Sequence, residues 1–128
     1  MKKLVKKAPA PEPDFFPNTR RMAELADEHK AMDIRAYDLR GLTVIADSFI
    51  VCTGNSEPHV KAISSAILSG MREVGEKARH SEGNYRNGWL VLDYGNIIVH
   101  IFRKETREFY DLDGLWGDAP KIDLDLGN

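Results

Sequence analysis

Side chains that can bind metals or act as nucleophiles are scattered along this sequence. No two histidines stand four residues apart, and neither an H-E-x-x-H motif nor a nucleophile elbow is present. The single cysteine, Cys52, is flanked by strand-forming residues, which favours a small buried side chain over an activated thiol. The four histidines are far apart in the sequence, at His29, His59, His80 and His100. We therefore predict no metal centre and no catalytic residue.

The segment best suited to bind a phosphate is Gly54-Asn55-Ser56, which precedes a predicted helix. Free N–H groups at a helix N-terminus attract anions, but a cap formed by Asn55 or Ser56 explains the same residues. The D-x-D pairs at 111–113 and 123–125 fall outside the neighbouring strands, and we expect solvated charges there. A nucleotide-binding module that uses this turn remains the alternative function, and no cofactor is predicted.

A β-hairpin is predicted in the most informative segment, which runs from residue 88 to residue 116. Gly95-Asn96 forms a two-residue turn between runs of strand-forming residues. With Tyr94 opposite Ile97, the register pairs five further positions: Asp93 with Ile98, Leu92 with Val99, Val91 with His100, Leu90 with Ile101 and Trp89 with Phe102.

This register predicts one apolar face and one mixed face, because side chains alternate along a strand. The apolar face should pack in the core: Leu90, Leu92, Tyr94, Ile97, Val99 and Ile101. The mixed face contains Trp89, Val91, Asp93, Ile98, His100 and Phe102. It could lie under a helix, with its polar groups bonded internally. We favour a recognition surface, because Trp, Tyr and Arg are enriched in binding hot spots and several occur in this segment.

The predicted partner-binding residues combine aromatic anchors with polar complements. Trp89 and Trp116 are expected to be anchors and Tyr110 an amphipathic contact. Asp93 and Arg107 are expected to be charged complements, and His100 is expected to position its neighbours or to bond the partner. Phe109 and Leu112 are expected instead to pin the short helix to the sheet. The full predicted set is Trp89, Asp93, His100, Arg103, Arg107, Tyr110 and Trp116.

Length and composition are those of an ordinary single-domain chain. The 128 residues are 30% charged and 42% hydrophobic, and the apolar runs are too short to span a bilayer. Residues 1–17 contain four lysines and two acidic residues, so the remaining body carries more negative charge than the net value of −2. That sign disfavours broad binding to nucleic-acid phosphates and makes direct RNA binding a weaker alternative. The N-terminus does not resemble a secretory signal, and we predict a cytoplasmic location.

The hydrophobic pattern predicts an α/β sandwich around a mixed five-stranded sheet, in the order α-β-β-α-β-β-β-α. Asn18 or Thr19 should cap the first helix, residues 48–53 should form a buried strand, and a short strand should lie around 78–82. The predicted divisions are a flexible basic proline-rich tail over 1–17, one domain over 18–118, and a frayed acidic tail over 119–128.

Two extended patterns occupy the hairpin and the segment that follows it. They are W-x-x-x-D-Y-G-x-x-x-V-H-x-F and R-x-F-Y-x-L-x-x-L-W, beginning at Trp89 and Arg107. Together with segments 38–41, 46–51 and 53–56, these patterns resemble the sequences of the ribosomal silencing factor family, also called Iojap. The resemblance extends over roughly residues 20 to 118.

The resemblance implies a translational repressor that acts by occlusion, not catalysis. Such proteins bind ribosomal protein fourteen of the large subunit, on the face that meets the small subunit. Their fold is related to nucleotidyltransferases, which need a D-x-D pair on the next strand to hold Mg²⁺. Here the corresponding strands offer only Glu82 and Asp93, which disfavours nucleotidyl transfer and leaves a nucleotidyltransferase-like enzyme as the alternative function. The implied partner is the large subunit, with incidental ribosomal RNA contact, and a homodimer of the free protein is left open.

Overall fold

Two buried strands that run parallel form the centre of the sheet. The computed structural model describes residues 13–126, and its strands follow the order β1-β2-β5-β4-β3. β2 pairs parallel with β5, whereas the other neighbouring strands are antiparallel. The predicted mixed five-stranded sheet is therefore confirmed, with strand bounds β1 Met32–Asp38, β2 Ser48–Gly54, β3 His80–Asn84, β4 Trp89–Asp93 and β5 Ile97–Arg103.

Helices cover both faces of this sheet. The helix bounds are α1 Phe16–Glu28, α2 Glu57–Glu73, α3 Lys104–Tyr110 and α4 Leu112–Leu115. α1 and α2 pack on one face, where their apolar stripes meet the inward side chains of β2 and β5. The predicted order of elements is confirmed, and the one-turn helix α4 is an addition to it. In the described range, no helix is both long enough and apolar enough to cross a membrane.

The first helix begins earlier than predicted. Phe15, not Asn18 or Thr19, is the N-cap residue, and Pro17 occupies the first turn, where its missing N–H costs nothing. Phe15 is buried, and the Thr19 hydroxyl donates a 2.9 Å hydrogen bond to its carbonyl. The tail predicted over 1–17 therefore contributes residues 13–17 to the fold, while residues 1–12 lie outside the described part.

The start of α2 matches the prediction for the turn after β2. Ser56 is the N-cap residue, and its hydroxyl accepts a 3.2 Å hydrogen bond from the backbone N–H of His59. Glu57 lies in the first turn, where its charge complements the helix dipole. Cys52 is fully buried in β2, as predicted, and burial raises the pKa of its thiol to about 12. This thiol packs as an apolar side chain.

The predicted hairpin register is confirmed at all five positions. β4 and β5 pair with Trp89 opposite Phe102 and Asp93 opposite Ile98. The predicted apolar face joins the core beneath α1 and α2, with Leu92, Val99 and Ile101 fully buried. The turn sequence and strict alternation were therefore enough to set this part of the fold.

The mixed face of the hairpin is covered by the chain itself over much of its area. α3, α4 and the following residues cross this side of the sheet, where Phe102 is fully buried and Ile98 nearly so. Trp116 and Leu112 pack against the same cluster. The alternative prediction, in which a helix covers this face, is therefore partly confirmed. Only the margin of the mixed face is accessible to solvent.

The C-terminal tail is packed, so the prediction of a frayed segment is wrong for residues 119–126. Ala119, Ile122 and Leu124 are buried, and the Ile122 N–H donates a 2.9 Å hydrogen bond to the Ala36 carbonyl at the edge of β1. Asp123 and Asp125, which alternate with the aliphatic residues from Ile122 onward, are exposed. Alternation of aliphatic and acidic residues is typical of a segment with one buried face, which a simple charge count misses.

Replacing Ile122 by alanine should therefore lower the free energy of unfolding by roughly 2 kcal/mol or more, as for other buried aliphatic residues. The matched control Asp118→Ala, at an exposed position, should change it by less than about 0.5 kcal/mol. Urea unfolding of the full chain measures both values. Equal stabilities for the two variants would contradict a packed C-terminal segment.

Candidate functional site

An aromatic stack links the start of β4 to α3. The ring of Trp89 packs on Phe102, with centroids 5.1 Å apart, and on Tyr110, with centroids 4.5 Å apart. These contacts arise because Trp89 and Phe102 are directly paired on one face and α3 follows β5 without a loop. Phe102 forms the buried base, Trp89 is half-buried, and Tyr110 lies on the outside.

His100 orients the indole of Trp89. The indole Nε1–H donates a 3.2 Å hydrogen bond to Nδ1 of His100, so that nitrogen must be unprotonated and the neutral ring carries its hydrogen on Nε2. His100 is only 7% exposed and its ring lies 4.6 Å from that of Phe49. Burial lowers the pKa of His100 to about 4. The geometry supports the predicted role of positioning neighbours and leaves His100 little access to a partner.

The most exposed apolar side chains beside this stack lie on α3 and α4. Phe109 is 80% exposed, Leu115 68% and Tyr110 50%, and the Phe109 and Tyr110 rings meet edge to face at 5.0 Å. The prediction that Phe109 pins the helix to the sheet is wrong, whereas Leu112 does pack against it. Two residues apart in a helix, side chains differ by about 200° around the axis, so Phe109 points away from the buried Arg107.

Arg107 is buried beneath α3, and its guanidinium donates four hydrogen bonds to other groups of the chain. It is 9% exposed and forms an ion pair with Asp113, whose Oδ2 accepts from Nε at 2.8 Å. Asp113 was expected to be a solvated charge, and that expectation is wrong, because Arg107 and the Tyr37 hydroxyl both donate to its carboxylate. The structure gives Arg107 an internal role in place of the predicted charged contact with a partner.

The remaining predicted residues fall in different places. Trp116 is half-buried and meets the Phe49 ring edge-on, at 6.1 Å, as part of the cover over the mixed face. Asp93 lies at the far end of β4 from Trp89, where its carboxylate accepts a 2.7 Å hydrogen bond from Gly95 in the hairpin turn. Arg103 ends β5 beside the stack and has no ion-pair partner in the described range 13–126.

At the turn considered for phosphate binding, backbone N–H groups are already hydrogen-bonded to side chains at the start of α2. The backbone N–H of Asn55 donates to Nδ1 of His59 at 2.9 Å, and the N–H of His59 donates to Ser56. Nε2 of the same ring donates to the carbonyl of His29 at 2.7 Å. Side chains of this helix thus use the donors that an incoming phosphate would need.

Comparisons with known proteins agree on one family. Residues 13–128 match the family model described as "Ribosomal silencing factor during starvation". The chain is 41% identical over 105 residues to the ribosomal silencing factor of Bacillus subtilis, covering 82% of this chain and 89% of that protein. This chain belongs to the ribosomal silencing factor family.

Solved structures of similar chains support the same fold. A crystal structure from Chromobacterium violaceum matches with a TM-score of 0.78 and 29% identity, covering 90% of this chain and 95% of that one. One from Bacillus halodurans matches with a TM-score of 0.70 and 31% identity, covering 81% and 94%. The fold of this silencing factor family member is therefore that of its relatives.

The buried His100 should make the stability of this family member depend on pH. Its folded pKa of about 4 lies below the unfolded value of 6.5, so between these values only the unfolded chain binds the proton. Stability should therefore fall as pH falls through this window, by up to about 3 kcal/mol for this group. Urea unfolding at several pH values, with nuclear magnetic resonance titration of the histidines, measures it.

His100→Asn, which keeps an acceptor for the Trp89 indole, should flatten this part of the pH profile. The variant Lys77→Asn, at an exposed position and with every histidine kept, serves as the control and should retain the wild-type slope. A His100 resonance that titrates near its ordinary value would show that the ring is not held neutral by burial.

Proposed function

We propose that this protein represses translation by binding the large ribosomal subunit and blocking its junction with the small subunit. Membership of the ribosomal silencing factor family supports a ribosomal partner. The sequence resemblance implies that the protein docks on ribosomal protein fourteen of the large subunit. We propose that this binding takes place in the cytoplasm. The mechanism needs a docking surface and the bulk of the domain, and it needs no catalysis.

The observation that carries the location of the docking surface is the group of exposed apolar side chains on α3 and α4, two aromatic and one aliphatic. Phe109, Tyr110 and Leu115 expose apolar area on a segment anchored to the sheet, with Trp89 behind them. Large side chains held in place lose little conformational entropy on binding, which makes them effective anchors. We assign the docking surface to these four residues and call it the aromatic surface.

Charge around the aromatic surface suits a partner with cationic and polar groups as well as apolar ones. The exposed acids Glu105, Glu108 and Asp111 lie on or next to α3, whereas Arg103 and Lys104 supply two cations at its start. A polar rim around an apolar centre is the usual composition of a specific interface. Direct binding to RNA phosphates is not favoured by these acids, so ribosomal RNA contact is incidental in this proposal.

The purified protein, added to separated subunits, should lower the yield of joined ribosomes in proportion to its occupancy of the large subunit. Occlusion produces this proportionality because each bound copy removes one large subunit from the joining reaction. Sucrose-gradient sedimentation with quantification of the protein in each fraction makes the measurement. Joined particles that carry the protein in a one-to-one ratio would contradict the proposal.

Phe109→Ser tests the docking surface with little risk to the fold, because the side chain is 80% exposed. We expect large-subunit binding to weaken about tenfold or more, as for an interface anchor, with a free energy of unfolding changed by less than about 0.5 kcal/mol. Val44→Ser, at a fully exposed apolar position on the loop between β1 and β2, is the matched control. If both variants bind like the wild type, the aromatic surface is misplaced.

A further inference from the structure

Arg107 connects α3 to two strands and to α4 through four hydrogen bonds. Nη1 donates to the Asp33 carbonyl on β1 at 2.7 Å and to the Thr53 hydroxyl on β2 at 2.8 Å. Nε and Nη2 donate to the two carboxylate oxygens of Asp113 at 2.8 and 3.1 Å. One buried side chain thus holds three other elements, and a planar guanidinium is the group able to do so.

β1 is distorted at the point where Arg107 meets it. Asp33 has a φ of +53°, and the pairing register of β1 with β2 shifts between Met32 and Arg35. A bulge of this kind removes a backbone group from the strand ladder. Here the irregular segment includes Asp33, whose carbonyl accepts the hydrogen bond from Arg107. A left-handed backbone at an aspartate is uncommon and is retained where the surroundings require it.

Asp113 forms the second arm of this arrangement, from α4. Its carboxylate accepts from Arg107 and from the buried Tyr37 hydroxyl on β1. These donors hold the pKa of Asp113 below its ordinary value, against the opposing effect of burial. Asp111 stands at the junction of α3 and α4 with φ of +51°, where its side chain caps α4 through the N–H of Gly114. We call Arg107, Asp113, Tyr37, Thr53 and Asp33 the clamp.

Two clamp residues, Arg107 and Asp113, flank part of the aromatic surface along the chain. Phe109 and Tyr110 lie between Arg107 and Asp113, and Leu115 follows two residues later. Neither Phe109 nor Leu115 is buried, so their own packing contributes little to holding this short segment in place. α3 has seven residues and α4 has four, and helices of that length are not stable alone. The Arg107–Asp113 ion pair, together with the packing of Leu112 and Trp116 on the sheet, supplies the anchorage that the exposed side chains lack.

We propose that Arg107 and Asp113 are positioning residues for partner binding: the clamp holds α3 and α4 in the arrangement that presents the aromatic surface. This inference rests on the proposed function, since it concerns how the docking surface is formed. The clamp residues need not touch the partner. Replacing them should first make residues 104–116 more mobile. Weaker affinity for the large subunit should follow from that mobility.

Arg107→Lys tests the clamp while keeping the positive charge. A lysine has a single nitrogen and cannot donate to Asp33, Thr53 and both oxygens of Asp113 together. Amide hydrogen exchange of the full chain should quicken about tenfold or more in residues 104–116, because local opening becomes easier, while exchange in α2 and β5 stays near the wild-type rate. Large-subunit binding should weaken about tenfold or more in parallel.

Two further variants keep the test decisive. Tyr37→Phe removes only the hydroxyl that donates to Asp113, so it should give a smaller change of the same kind if Arg107→Lys fails to fold. Arg72→Lys, at an exposed position on α2, is the matched control and should leave both readouts unchanged.

The outcomes separate the clamp from the proposed function. Faster exchange in residues 104–116 with unchanged binding would overturn the positioning role, and so would weaker binding with unchanged exchange, which would indicate direct contact by Arg107. A wild-type protein that fails to bind large subunits would overturn the proposed function itself. Parallel changes in both readouts, absent from Arg72→Lys, would support the clamp.

Discussion

Burial of β2 and β5 on both faces is the constraint on which the rest of this structure depends. All seven residues of β2 are buried, so apolar cover is needed above and below the parallel pair. α1 and α2 supply one layer. The other face is covered by α3, α4 and the residues after them, together with Trp89 and Trp116. The segment that completes the core is therefore also the segment that reaches the surface.

Because the same segment completes the core and reaches the surface, the face of the sheet under α3 and α4 contains both polar and apolar side chains. His100 and Arg107 are buried polar groups in an otherwise apolar layer, and each has a specific partner: the Trp89 indole for His100, and Asp113 for Arg107. A buried ion pair adds little net stability compared with apolar packing, but losing one partner is costly. What such a pair provides here is a single arrangement of α3 and α4, from which Phe109 and Tyr110 project outward.

Errors of sequence interpretation arose where a residue's surroundings come from distant parts of the chain. Alternation and a Gly-Asn turn gave the hairpin register in full, because pairing across a two-residue turn is local. The charge count was wrong for residues 119–126, because Ile122 is buried and hydrogen-bonded to Ala36 of β1, which is far away in sequence. The prediction that Arg107 faces a partner is wrong because its acceptors Thr53 and Asp33 are distant in sequence. No residue close to Arg107 in the sequence indicates that these two groups lie beside it.

The sequence by itself determined the order of elements, the five-stranded sheet, the apolar face of the hairpin and the family resemblance, because periodicity and turn chemistry are local properties. Only the tertiary structure decided which polar and aromatic residues are available at the surface. Trp89, His100 and Trp116 share a cluster, yet their exposure depends on how α3 and α4 cross the sheet. Exposure is a relation between distant segments, so it follows from packing and not from any one stretch of sequence.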